Sequence, residues 1–157
     1  MKSKKYISCV IWIIALIAIG SIIGSLTKSE VNTWYSNLNR SPLTPPNYVF
    51  PIAWTILYGM IGFCGWFIWR APSYLKLEQI KILYIIQLIL NWCWMPLFFR
   101  YHLTGLSLLN IIIMDFAVSL LIYLAHAKLK SVSLLMTPYL LWILFATHLN
   151  YYIWQYN

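Results

Sequence analysis

Acidic side chains are nearly absent. Glu30, Glu78 and Asp115 are the only three in 157 residues, so no pair of carboxylates is set out for general acid–base chemistry. Charge of either sign is scarce. Charged residues make up 9% of the chain and hydrophobic ones 62%, against about 25% and 45–50% in ordinary globular proteins. That balance excludes a soluble domain of the usual kind. Cys9, Cys64 and Cys93 form no CxxC and sit in apolar runs, where a thiol packs as a small hydrophobe. His102, His126 and His148 lack metal-ligand spacing, so no metal site is expected. His102 and His126 fall near helix ends, and His148 reads as a packing or interface residue on the last run. No hydrolytic triad is present. Repeats, direct or inverted, are also missing, which argues against a duplicated transporter.

What the chain has instead is long apolar runs. Crossing a bilayer core roughly 30 Å thick takes about 20 residues of helix. Five such runs can be read, at 6–26, 52–69, 80–99, 105–125 and 133–154. The expected fold is all-α: one domain, residues 1–157, a polytopic bundle of five transmembrane helices. The first run follows the basic "MKSKK" and could be taken for a signal peptide. It exceeds the usual apolar core of about 7–15 residues, so it is assigned as the first span.

A net charge of +8 suggests nucleic acid until its distribution is considered. Lys2, Lys4, Lys5, Arg70, Lys76, Lys81, Lys128 and Lys130 flank one side of the spans; Lys28, Arg40 and Arg100 flank the other. This is the positive-inside pattern. It places the N-terminus in the cytoplasm and the C-terminus outside, and it makes the cations topological anchors that can also meet lipid head groups. No nucleic-acid partner is expected.

The connection from Thr27 to Pro51, "TKSEVNTWYSNLNRSPLTPPNYVFP", is long for a loop between packed elements. Trp34, Tyr35 and Leu38 have the spacing of one helical turn, with Asn32 as a possible cap. Pro42, Pro45, Pro46 and Pro51 stiffen the remainder. A stiff aromatic loop can be a lid over the bundle mouth or an aromatic belt at the membrane interface; the two are compatible. Gly20 and Gly24 form a GxxxG that permits close helix approach, within the bundle or in a homodimer.

"LILNWCWMPLFF", residues 88–99, places an amide, two indoles and a proline inside a membrane span. On a helix Tyr84, Gln87, Asn91, Trp94 or Met95, and Phe98 share one face. The Asn91 amide must find partners within the protein, because the bilayer core offers none. Pro96 frees the carbonyl of Trp92. Trp54, Tyr58, Gly62 and Gly65 line up on the second span, and Tyr139, Trp142, Ala146 and Asn150 on the fifth. Three helices presenting aromatic, small and amide groups suggest a pocket for a flat, mostly apolar ligand. Spacing alone also allows plain packing, with amides joining helices. Asp115 is the only acidic residue within a span. Such carboxylates are functional candidates by default, here either a structural hydrogen bond or a proton-coupling site.

The stretches 34–58, "WYSNLNRSPLTPPNYVFPIAWTILY", 87–99, "QLILNWCWMPLFF", and 138–154, "PYLLWILFATHLNYYIW", together resemble the translocator protein family. That family is also called the peripheral benzodiazepine receptor or tryptophan-rich sensory protein family. The resemblance covers nearly the whole chain and is to bacterial members. It implies a five-helix bundle whose first loop closes a ligand pocket. It implies binding of porphyrins such as protoporphyrin IX, of benzodiazepine-receptor-type drugs, and in some members of sterols, with no cofactor required. Carried over, the pocket falls on Phe50, Ala53, Trp54, Leu106, Leu109, Ile113, Ala146 and Leu149, with Asn91 and Trp142 facing the same cavity. Periodicity adds Tyr58. The sterol motif on the last helix lacks its basic residue, since Gln155 follows "LNYYIW". Asn110 stands where many members have an acid, and Asp115 lies about 140° further round the helix.

Three functions follow as expectations. The chain can be a receptor or sensor for porphyrins, in the bacterial cytoplasmic membrane. The resemblance also implies that it can promote light-dependent porphyrin breakdown, as some members of that family do, with Trp54 and Trp142 as the candidate photo-oxidised groups. Or it can be a small proton-coupled transporter of tetrapyrroles or lipids, using Asp115.

Overall fold

The structure, a computed structural model, describes residues 2–157, with side chains from Tyr6 onward. The ammonium groups of Lys2, Lys4 and Lys5, which carry part of the expected charge bias, therefore lie outside the described residues. Five helices follow in order: α1 (Lys2–Asn32), α2 (Val49–Arg70), α3 (Leu77–Met95), α4 (Thr104–Ala125) and α5 (Lys130–Tyr156). All five are long and apolar enough to cross a membrane. No strand occurs among the described residues. The chain is an integral membrane protein with an all-α fold.

α1 is longer than expected. It continues through Asn32, so Asn32 does not cap a new helix; a short 3-10 turn follows at Tyr35–Asn37. The apolar run ends near Leu26, but nothing in "TKSEVN" stops a helix, since it holds neither Pro nor Gly. At Pro96 the backbone widens into a π-helical turn, Pro96–Arg100, where Tyr101 N–H reaches back to the carbonyl of Pro96 at 3.0 Å. The cause is the missing N–H of proline. The connection into α4 then turns through His102, which takes a left-handed φ of 55°.

α1 lies against α2, α3 against α4, α4 against α5, and α2 against α5. The core runs along the bundle axis through Ile61, Ile68, Ile80, Tyr84, Ile111, Val118, Leu121, Met136, Tyr139 and Ile143, all buried. Tyr6, Ile7, Val10, Ile11 and Ile14 of α1 are exposed, as a lipid-facing surface requires. Gly62 allows α1 and α2 to touch backbone to backbone: a Cβ there would stand 2.8 Å from Ile13 Cα. Gly65 gives its space to the Tyr84 hydroxyl and to Trp12. These two glycines, expected to leave room for a ligand, are instead packing points between helices.

Candidate functional site

α1, α2, α3 and α5 enclose a cavity of about 600 Å³. Its lining runs along α1 from Ile17 to Asn32, about 22 Å at 1.5 Å per residue. From α2 come Phe50, Trp54 and Tyr58; from α3 Asn91, Trp94 and Met95, with Phe98 from the π-helical turn that follows; from α5 Trp142, Phe145, Ala146 and Leu149. The spacing of three and four on each helix is what delivers these side chains to one space. Trp54 and Tyr58 lie 5.7 Å apart between ring centres, and Phe50 meets Trp142 edge-on at 6.2 Å.

The deep end is closed by polar groups joined across three helices. Tyr58 OH donates to Asn91 Oδ1 at 2.5 Å. Asn91 Nδ2 donates to Tyr139 OH at 3.0 Å, and Tyr139 OH donates to Gln87 Oε1 at 3.0 Å. This answers the burial question posed by the amide in "LILNWCW": Asn91 is held by two tyrosines from two other helices. One amide hydrogen and one oxygen lone pair remain on Asn91 for a ligand. A second junction forms at Asn150, whose Oδ1 accepts from Trp94 Nε1 and from Ser107 Oγ, each at 3.0 Å. The buried N–H of Trp142 has no partner among the described residues.

Of the expected ligand-binding residues, Phe50, Trp54, Tyr58, Asn91, Trp142, Ala146 and Leu149 all line this cavity. Four others do not. Leu106, Leu109 and Ile113 are 50%, 54% and 46% exposed, and α4 contributes nothing to the wall. The buried face of α4 carries Ser107, Asn110, Ile111, Met114, Asp115 and Val118. It packs on α3 and α5 behind the cavity, which turns Leu106, Leu109 and Ile113 outward. Ala53 is half-buried on α2, beside the cavity rather than in its wall. Tyr35, from the loop read as a possible lid, also lines the cavity, whereas spacing missed Asn47 and the α1 wall, including Gly20 and Gly24. A GxxxG motif in the sequence was the available signal. Gly20 proves necessary because the Tyr58 ring occupies the place of a Cβ.

Loop residues close the wide end. Tyr35 is buried against Phe98 and Ile153, and Tyr48 and Phe50 complete the rim. Burial pushes the Tyr35 phenol above its ordinary pKa, opposed by the Arg40 guanidinium 5.3 Å over its ring. Trp34 is not part of the wall. It stacks on His102 at 4.0 Å, and the His102 ring meets Glu30 at 3.3 Å. The loop is fastened to the C-terminal residue: Asn39 N–H donates to Asn157 Oδ1 at 2.8 Å, and Asn157 Nδ2 donates to the Asn39 carbonyl at 3.2 Å. His148, expected to pack or meet lipid, lies 3.3 Å from the Ser41 hydroxyl through its Nε2, which holds the loop to α5. Pro45 and Pro46 border a separate polar cleft with Arg40 and Tyr152.

Asp115 lies outside the cavity wall, buried between α4 and α5. Its Oδ2 accepts from Thr147 Oγ1 at 2.7 Å, and its Oδ1 has no partner among the described residues. Among the described residues no group of three or more His, Cys, Asp or Glu is placed to hold a metal ion.

Comparison with known proteins agrees with this architecture. A model of the TspO/MBR family matches residues 12–155. The chain is 38% identical over 146 residues to the tryptophan-rich protein TspO of Archaeoglobus fulgidus, covering 92% of this chain and 94% of that one. It is 32% identical over 143 residues to the translocator protein of Bos taurus, covering 89% and 85%. To the tryptophan-rich sensory protein of Cereibacter sphaeroides it is 31% identical over 128 residues, covering 82% and 78%.

Proposed function

This chain belongs to the TspO/MBR family, and we propose that it is a membrane receptor of the sensor type whose ligand is a porphyrin such as protoporphyrin IX. Benzodiazepine-receptor-type drugs would compete for the same space. The observation that carries the reading is the cavity itself, about 600 Å³ and walled by Phe50, Trp54, Tyr58 and Trp142. Its size falls within the roughly 300–1,000 Å³ of small-molecule sites. Flat aromatic walls favour a flat aromatic ligand by stacking and apolar burial. Asn91 supplies a polar contact at the deep end. The charge bias of the loops supports an orientation with the N-terminus inside, which turns the loop end of the cavity outward, and the reading places the protein in a bacterial cytoplasmic membrane.

Metal-free protoporphyrin should bind at least as well as haem. The wall contains no histidine and no cysteine, and Met95 is its single sulfur. Titration of each into the protein in lipid nanodiscs, followed by tryptophan fluorescence, tests this. Haem binding far tighter than protoporphyrin, and lost in Met95→Leu, would defeat the reading. Illumination extends the test. If Trp54 and Trp142 take part in light- and oxygen-dependent breakdown, products from the bound porphyrin differ from those of porphyrin free in detergent. Trp54→Phe and Trp142→Phe then slow their formation; identical products and rates reduce the role to binding.

A second reading, proton-coupled transport, is favoured by one observation, the buried Asp115 oxygen without a partner. It predicts vesicle flux of porphyrin that follows a pH gradient and vanishes in Asp115→Asn.

A further inference from the structure

The cavity wall contains one charged side chain, Lys28, and no acid. Lys28 is exposed on α1 at the wide end and has no ion pair or hydrogen bond among the described residues. No acidic side chain pairs with it among the described residues. Of the chain's three acidic residues, Glu78 pairs with Lys81 at 2.7 Å, Glu30 meets His102 at 3.3 Å, and Asp115 is buried with Thr147. Glu30 is two residues from Lys28, so it points about 200° round α1, away from the cavity. Asn32 stands one turn beyond Lys28 on the same face, and Asn47 borders the same end from the loop. Neither side-chain amide has a hydrogen-bond partner among the described residues. An unpaired ammonium and two free amides thus gather at one end of a cavity that is otherwise aromatic and aliphatic.

We infer that the cavity selects amphipathic anions: a flat apolar body lies against Trp54 and Trp142 while a carboxylate of the ligand reaches Lys28, with Asn32 and Asn47 donating to it. Charge-assisted hydrogen bonds favour such a pairing over a neutral ester. The inference rests on the proposed binding of a flat ligand in this cavity and adds a specificity determinant to it. The same ammonium could instead meet a lipid phosphate at the membrane surface, as basic residues near helix ends do.

The test compares protoporphyrin IX with its neutral dimethyl ester, in nanodiscs of phosphatidylcholine, for the wild type, Lys28→Met and Lys28→Arg. The wild type is expected to prefer the diacid by roughly 1.5- to fivefold, the range for a solvent-exposed ion pair. The preference should shrink as salt rises, vanish in Lys28→Met through weaker binding of the diacid alone, and survive in Lys28→Arg. Equal binding of diacid and ester by the wild type, or a preference intact in Lys28→Met, overturns the inference while leaving porphyrin binding in place. If Lys28→Met changes only the anionic lipid that co-purifies, the ammonium belongs to head groups and the inference fails. Failure of both porphyrins to bind the wild type removes the underlying reading as well.

Discussion

Gly24 offers a way to fill the cavity without disturbing the bundle. It lines the wall, and a Cβ built there meets nothing within 4 Å. Gly24→Leu therefore projects an isobutyl group into open space. The unliganded protein should be slightly more stable, because replacing a glycine inside a helix gains about 0.8 kcal/mol. The ligand loses that space. Forcing extra methylenes into an occupied site costs about 1–3 kcal/mol, so protoporphyrin should bind roughly 5- to 150-fold more weakly. Tryptophan fluorescence titration in nanodiscs measures the affinity, and a thermal melt of the unliganded protein measures stability. Gly62→Ala is the contrast. Its Cβ would press on the α1 backbone, 2.8 Å from Ile13 Cα and 3.1 Å from the Trp12 carbonyl, so the melting midpoint should fall. A Gly24→Leu protein that melts like the wild type and binds porphyrin with unchanged affinity would refute the assignment of the ligand to this cavity.

Asn91→Leu removes the acceptor of Tyr58 and one donor to Tyr139, while Tyr139 keeps Gln87. The expected cost is about 1–3 kcal/mol, since buried groups lose partners and the gain per bond is small inside membranes; unfolding in lipid–detergent mixtures reads it. Asn157→Ala cuts both side-chain links from the C-terminal residue to the Asn39 backbone, and stopped-flow release of porphyrin should accelerate roughly twofold to tenfold with little change in the unliganded midpoint. Replacing Pro45 and Pro46 together with glycine loosens the loop from its outer side, where they border the polar cleft. Release should again be faster, because the open loop gains entropy; unchanged release with a sharply lower midpoint would make the loop a scaffold instead of a lid.

Asn91, Trp54, Trp142 and Ala146 were legible because a polar or bulky aromatic group inside a membrane span is costly unless it faces protein, and helical spacing then names the face. Leu106, Leu109 and Ile113 illustrate the reverse. They were carried over from the family resemblance, whereas the polar residues Ser107, Asn110 and Asp115 mark the buried face of α4 and leave these three on the lipid side, where leucine and isoleucine are at home. Small residues were ambiguous. Gly20, Gly62 and Gly65 give room to a neighbouring ring or backbone, whereas the space beside Gly24 is open, and no sequence pattern separates the two. The reach of α1 to Asn32 depended on a polar segment without helix breakers. The clasp between Asn39 and Asn157 joins positions 118 apart in sequence, which local spacing cannot anticipate.

The most direct test is a structure of the protein with protoporphyrin IX bound in a lipid nanodisc. The account predicts the macrocycle inside the cavity of α1, α2, α3 and α5, in contact with Trp54 and Trp142, with a propionate toward Lys28 and Tyr58 still bonded to Asn91. A porphyrin seated on the outer face of α4, against Leu106, Leu109 and Ile113, with the cavity unfilled, would contradict it.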